Sequence, residues 1–285
     1  MIKDLIKLVK LRLTFLVVFS ASISFLIGSH VNGGSINWSN WIKLVIGGFL
    51  ITGAANGFNE IIEKDLDRLM TRTADRPLPA GRMTNGQALV LSILMGIGGT
   101  YLLGYLNLLT GMLSVFAVIL YAFAYTPLKQ KSPISVFVGA IPGALPPLIG
   151  YVAAHPTIDK IALILFGIQF IWQFPHFWAI AWVLDDDYKL AGFRLLPTGK
   201  RNLVSAVVTF IFTLALVPVS LLPTWYGYGG WYVGGVSLVC SLLFLYQAWV
   251  LMRTREIKSA RQLMFGSFIY LPIVQLMFLF DFVKQ

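Results

Sequence analysis

Apolar residues in this chain run unbroken for lengths that point to a bilayer. Asp, Glu, Lys and Arg are absent from 13–42, 44–59, 83–128, 132–158, 161–184, 202–252 and 262–280. A helix needs about 20 apolar residues to cross the hydrocarbon layer. Runs 83–128 and 202–252 each hold two such helices, with breaks expected near 104–111 and 223–230. The pattern therefore predicts nine membrane-spanning helices and an all-α, polytopic single domain over residues 1–285. None of the runs alternates with period two, which argues against a β-barrel. The first 30 residues do not read as a cleaved signal peptide, because their apolar run is too long.

Composition agrees. Of 285 residues, 57% are hydrophobic and 12% charged, against about 25% charged in soluble domains. With a mean hydropathy of +0.77, a soluble enzyme, a coiled coil and a disordered tail are excluded. The single cysteine, Cys240, leaves no internal disulfide.

The net charge of +10 would suggest nucleic acid in a soluble protein. Here it sorts by membrane side, and no nucleic-acid partner is expected. With a cytoplasmic N-terminus, 19 of 22 basic residues lie inside, and only Lys43, Lys160 and Lys284 fall elsewhere. That split follows the positive-inside rule and puts the C-terminus outside. The expected location is a bacterial plasma membrane.

The acidic residues are also sorted, which topology does not require. Eight of twelve lie in two segments on the same side: Glu60, Glu63, Asp65, Asp67 and Asp75, then Asp185, Asp186 and Asp187. Asn59, Glu63 and Asp67 are four and eight residues apart, hence on one helix face if the second span continues past Ile62. One amide and two carboxylates are hard oxygen donors that suit Mg²⁺. Lys64, Arg68, Arg72 and Arg76 recur every four residues and would form a cationic stripe beside them. That pairing suits a Mg²⁺-diphosphate, while the bland alternative is a solvated helix end with pairs such as Glu60–Lys64.

His176 lies within an apolar run, on the helix that leads to Asp185–Asp187. Tyr121, Tyr125, Lys129 and Lys131 close the fourth span on that side. The fifth span, with Pro142, Pro146, Pro147, Gly139, Gly143 and Gly150, is expected to line a central cavity open to the cytoplasm.

These residues resemble the intramembrane prenyltransferases of the UbiA superfamily. Asn59, Glu63 and Asp67 match its Asn/Asp-x-x-x-Asp/Glu-x-x-x-Asp helix end, though Glu63 stands where Asp is common. Asp67-Arg68-Leu69-Met70-Thr71-Arg72-Thr73, Arg76-Pro77-Leu78 and Tyr125-Thr126-Pro127-Leu128-Lys129 are similar as well. Trp172-Gln173-Phe174-Pro175-His176-Phe177-Trp178, followed by Asp186-Asp187-Tyr188-Lys189, resembles the branch that modifies haem. In quinone-directed relatives an Asp stands where His176 does.

The resemblance implies transfer of farnesyl from farnesyl diphosphate to a vinyl group of haem B, with water added. It implies Mg²⁺ on Asn59, Glu63 and Asp67 with Asp186 or Asp187 opposite. Lys64, Arg68, Arg72, Arg76, Lys129, Lys131 and Lys189 are then expected near the substrates, with Trp172, Gln173 and Phe177. Phe58, Phe174, Phe177, Trp178, Tyr121 and Tyr125 are candidates to stabilise an allylic cation. His176 could bind haem iron, orient the porphyrin or assist water. Membrane lipid surrounds the protein, and haem A synthase or terminal-oxidase assembly are expected partners downstream. The alternatives are a quinone-precursor or chlorophyllide prenyltransferase, a transporter and a non-catalytic haem scaffold.

Overall fold

The chain folds as predicted into long helices, most of them joined by short connections, with long ones over 68–84 and 184–202. The computed structural model describes residues 2–282, so Lys284 lies outside the described residues. Nine helices among these are long and apolar enough to cross a membrane. They are α1 (Leu11–Val31), α2 (Trp38–Asp67), α3 (Asn85–Leu106), α4 (Leu108–Leu128) and α5 (Ser135–Ala154), then α6 (Lys160–Val183), α7 (Leu203–Trp225), α8 (Trp231–Thr254) and α9 (Ile257–Phe280). A short helix, Ile2–Leu8, precedes α1.

Helix starts need partners for their free N–H groups, and the sequence supplies them. Asn37, Asn107, Asp159 and Asn202 each accept a hydrogen bond from the backbone three residues on. Thr84 and Gln87 cap α3 reciprocally. The break within 83–128 narrows to Asn107 alone, whose side-chain nitrogen also donates to the Val152 carbonyl at 2.8 Å.

Span α2 differs from its apolar run, because it starts at Trp38 and takes in Lys43. The lysine stays solvated by reaching along the helix. Its Nζ sits 4.7 Å from the centre of the Tyr105 ring and 3.3 Å from Asn40 Oδ1, a snorkelling posture.

Span α5 is the most buried of the nine, and its glycines show why. An added Cβ would lie 2.6 Å from the Tyr125 ring at Gly139, 2.5 Å from the Gln173 amide at Gly143 and 1.9 Å from the Ala21 carbonyl oxygen at Gly150. Small residues let α5 meet α1 backbone to backbone and leave room on α5 for the side chains of Tyr125 and Gln173, which is how helices associate where lipid removes the hydrophobic drive.

A polar layer then ties four spans together. Ser20 and Gln275 both donate to Gln169 Oε1, at 2.8 and 2.9 Å, and Gln169 Nε2 donates to the Gly143 carbonyl at 2.7 Å. Each group has a partner, as buried polar groups require.

Candidate active site

The start of α1, the end of α2 and the C-terminal ends of α4 and α6 meet at one face. Asn59, Glu63 and Asp67 line one side of the last two turns of α2, as their spacing predicts, and all three are buried. Each holds a cation from a different part of the chain. Lys10 Nζ donates to Asn59 Oδ1 at 2.8 Å. Lys129 Nζ lies 2.5 Å from Glu63 Oε1. Arg76 Nη1 lies 2.5 Å from Asp67 Oδ2. Asn59 Nδ2 also donates to Glu63 Oε2 at 2.9 Å and to Thr126 Oγ1 at 3.0 Å. Beside these pairs, Asp67 Oδ1 and Glu60 Oε2 are buried and have no hydrogen bond among the described residues.

The cationic stripe is not helical. Span α2 stops at Asp67, and 68–83 is a chain of turns containing Pro77, Pro79 and Gly81. The turns fold back and deliver Arg76 alone to the motif. Thr73 Oγ1 donates to the freed Asp67 carbonyl at 2.9 Å and holds the reversal. Arg68 is spent on the Pro79 carbonyl at 3.3 Å. Lys64 and Lys131 have no side-chain partner among the described residues, and the Glu60–Lys64 pair of the bland alternative is absent among them. Glu60 instead turns inward and accepts from Leu78 N at 3.4 Å.

The second acidic segment docks on this loop rather than on the motif. Asp187 accepts from the backbone N–H of Thr71 at 2.7 Å and of Arg72 at 3.4 Å. Arg72 lies over the Tyr188 ring, 5.9 Å from its centre. Asp186 is exposed and bonds Arg201 Nη1 at 2.9 Å, while Lys189 pairs with Asp185 at 2.6 Å. Among the described residues no three His, Cys, Asp or Glu side chains converge on one point. Asp186 and Lys189 therefore stand outside the cluster that the sequence placed them in, and Asp187 acts as a clamp on the loop.

The aromatic wall comes from a widened turn. Pro127 has no N–H to donate, and the backbone before it opens into a π-helical segment, Leu120–Tyr125, in which Thr126 N bonds the Tyr121 carbonyl. Tyr121 and Tyr125 are thereby brought together, 5.5 Å between centres, and Lys129 sits 4.9 Å over Tyr125 and 5.3 Å over Phe193. Phe177 reaches Tyr125 at 6.4 Å. Phe174 and Trp178 are not part of this wall. They pack with Phe137 and Phe212 in the core between α5, α6 and α7. Phe58 pairs with Phe123 at 5.7 Å, on the exposed side of α4.

Residues 17–271 match the UbiA prenyltransferase family. The chain belongs to that family. It is 46% identical over 277 residues to the protoheme IX farnesyltransferase of Cytophaga hutchinsonii, covering 96% of each chain. Its fold matches the solved structure of a digeranylgeranylglyceryl phosphate synthase with a TM-score of 0.81 at 20% identity, over 98% of both chains. It also matches a UbiA homologue of Archaeoglobus fulgidus bound to DMAPP and Mg²⁺, with a TM-score of 0.62 at 12% identity, over 97% and 99%. The chain is thus a prenyltransferase, and the transporter and scaffold alternatives fall away.

Sequence reading missed one residue of this UbiA prenyltransferase site. Lys10 reads in sequence as a flanking charge, yet it is the cation on Asn59. It gets there through a left-handed backbone, φ 49° and ψ 57°, between the short helix and α1. Such a conformation costs a non-glycine residue roughly 1–2 kcal/mol, and no Gly or Pro marks the bend. Burial pushes the Lys10 ammonium down to about 7, and the neighbouring Arg76 and Lys129 push the same way. Lys129 is lowered by burial and held up by Glu63. Lys10→Met should lower prenyl transfer about tenfold or more, the loss of one charged hydrogen bond of about 1.5–3 kcal/mol. Turnover of that variant at saturating substrate checks it; an unchanged rate removes Lys10 from the site.

Proposed function

We propose that this enzyme transfers the farnesyl group of farnesyl diphosphate to a vinyl group of haem B, with addition of water, to make haem O. The 46% identity to a protoheme IX farnesyltransferase supports that substrate pair. One observation carries the reading: three oxygen donors, one turn apart and buried, each face a cation from another element.

The residues fit Mg²⁺. Asn59, Glu63 and Asp67 are the residues that would hold it, and the unsatisfied oxygens of Asp67 and Glu60 are what a hard cation satisfies. When bound, the ion supplies charge stabilisation for the departing diphosphate. Lys10, Arg76 and Lys129 do the same from the protein, each worth about 1.5–3 kcal/mol as a charged hydrogen bond. The allylic C–O bond breaks and diphosphate leaves with its electron pair. Tyr121, Tyr125 and Phe177 shield the allylic cation from solvent, each ring stabilising it by roughly 0.5–2 kcal/mol. The haem vinyl π pair forms the new C–C bond. Water then adds to the haem-side cation and releases one proton.

We read the site as lying at the inner leaflet, with a cavity open to the cytoplasm, an inside N-terminus and an outside C-terminus. The 19-to-3 distribution of basic residues supports this orientation in a bacterial plasma membrane. Residues 1–285 act as one catalytic unit, whose product would go to haem A synthase or terminal-oxidase assembly. Mass analysis of haem after incubation with farnesyl diphosphate and Mg²⁺ tests the reading. The expected product is haem carrying one added farnesyl group and one hydroxyl group. Unmodified haem beside prenylated 4-hydroxybenzoate would reassign the enzyme to quinone precursors.

A further inference from the structure

The surroundings of His176 settle which of its ring nitrogens carries the proton. Ser267, on α9, donates its hydroxyl proton to the Met264 carbonyl at 2.6 Å. The same Ser267 oxygen lies 2.8 Å from His176 Nδ1. A hydroxyl has one proton to give, so the contact needs Nδ1–H as the donor. Nε2 is then the nitrogen with the lone pair. It has no hydrogen bond among the described residues, and packing does not seal it.

The ring is also held still. Trp172 stacks on it, with centres 4.3 Å apart and planes 18° from parallel. Trp172 Nε1 donates to the backbone carbonyl of the same Ser267 at 3.1 Å. Phe268 and Phe177 stand steeply inclined to it, with centres 5.3 and 5.6 Å away. Among the described residues no carboxylate pairs with the ring. A triad-type general base has a carboxylate behind it to stabilise the imidazolium it becomes, and none stands behind this ring among the described residues. A neutral imidazole whose Nδ1–H is fixed by an oxygen, with Nε2 open, is the arrangement of a metal-ligating histidine.

We propose that His176 Nε2 is the axial ligand of the haem iron and seats the porphyrin against α6 and α9. The proposal rests on the haem reading above. It gives the flat apolar faces of Phe177 and Phe268 a role beside the macrocycle. Phe177 spans from His176 to Tyr125, so a porphyrin held at Nε2 can turn a vinyl edge toward the ionising diphosphate. The remaining histidines lie away from the site: His30, at the C-terminal end of α1, bonds the Leu26 carbonyl through Nδ1 at 2.7 Å, and His155, just after α5, has Nε2 3.6 Å from Asp159.

The test is a haem titration of the purified full chain in detergent, without farnesyl diphosphate, followed by absorbance. The wild type should give a histidine-ligated spectrum. His176→Ala should lose it and bind haem at least tenfold more weakly, about 1.4 kcal/mol. His176→Gly should regain the ligated spectrum on adding imidazole, which also shows that the bundle is folded. Ser267→Ala should keep a ligated spectrum with severalfold weaker binding. If His176→Ala and His176→Gly both bind haem with the wild-type spectrum and affinity, the ligand role is overturned, and loss of turnover in them would assign His176 to proton handling. A wild-type chain that binds no haem overturns the haem reading instead.

Discussion

Glu63→Gln should lower prenyl transfer by about 10²–10³-fold, the scale for losing one preorganised charge contact in a transition state. The substitution keeps the volume but removes the charge facing Lys129 and turns one acceptor oxygen into an N–H donor. Two effects then need separating. The buried lysine loses its partner, and breaking a buried pair is itself destabilising by about 3–5 kcal/mol. The double variant Glu63→Gln/Lys129→Met removes both charges together. Its thermal midpoint should return toward the wild type while its product yield stays low. Haem O quantified by mass, beside thermal melts of all three proteins, checks this. Full activity in Glu63→Gln would remove the acidic motif from the mechanism.

The second large effect lies far from the chemistry. Gly150→Ala puts a Cβ 1.9 Å from the backbone oxygen of Ala21. No side-chain rotation relieves that contact, so α1 must move away from α5. Overpacking of this kind costs about 1–3 kcal/mol, and the cost is felt twice, because α1 begins directly after Lys10. Both the melting temperature and the turnover of Gly150→Ala should fall. Gly167→Ala is the control. Nothing lies within 4 Å of its added Cβ, and alanine favours helix over glycine by roughly 1 kcal/mol. Equal melting of the two variants would mean that the α1–α5 approach does not hold the bundle.

The parts of the molecule that obey a helical period were readable from sequence. Nine spans follow from charge-free runs, and the shared face of Asn59, Glu63 and Asp67 follows from their four-residue spacing. The errors begin where the period ends. Extending α2 past Asp67 produced a cationic stripe, but Thr73 and the turns after it bring Arg76 back and send Arg68 away. Asp187 carries no local sign that both its oxygens bind the backbone of a distant loop. Asp186 finds its partner at Arg201, beyond its own segment, and Lys189 at Asp185 within it, pairings that spacing alone does not reveal. Phe174 and Trp178 sit on the opposite side of α6 from Gln169 and His176, a distinction blurred by an apolar run that is hydrophobic all round. Lys10 was hidden because its backbone bend uses a lysine where glycine would be expected.

That bend has a practical side. The helix Ile2–Leu8 is strapped to the 68–83 loop: Lys7 pairs with Asp75, and Arg82 reaches Asp4 at 2.8 Å and Asp75 at 2.9 Å. Through Lys10 this strap works as a lever whose short arm ends on Asn59. A bulky fusion partner or purification handle on the amino-terminal side would load the long arm, so a preparation meant for kinetics is better immobilised or tagged from its other terminus.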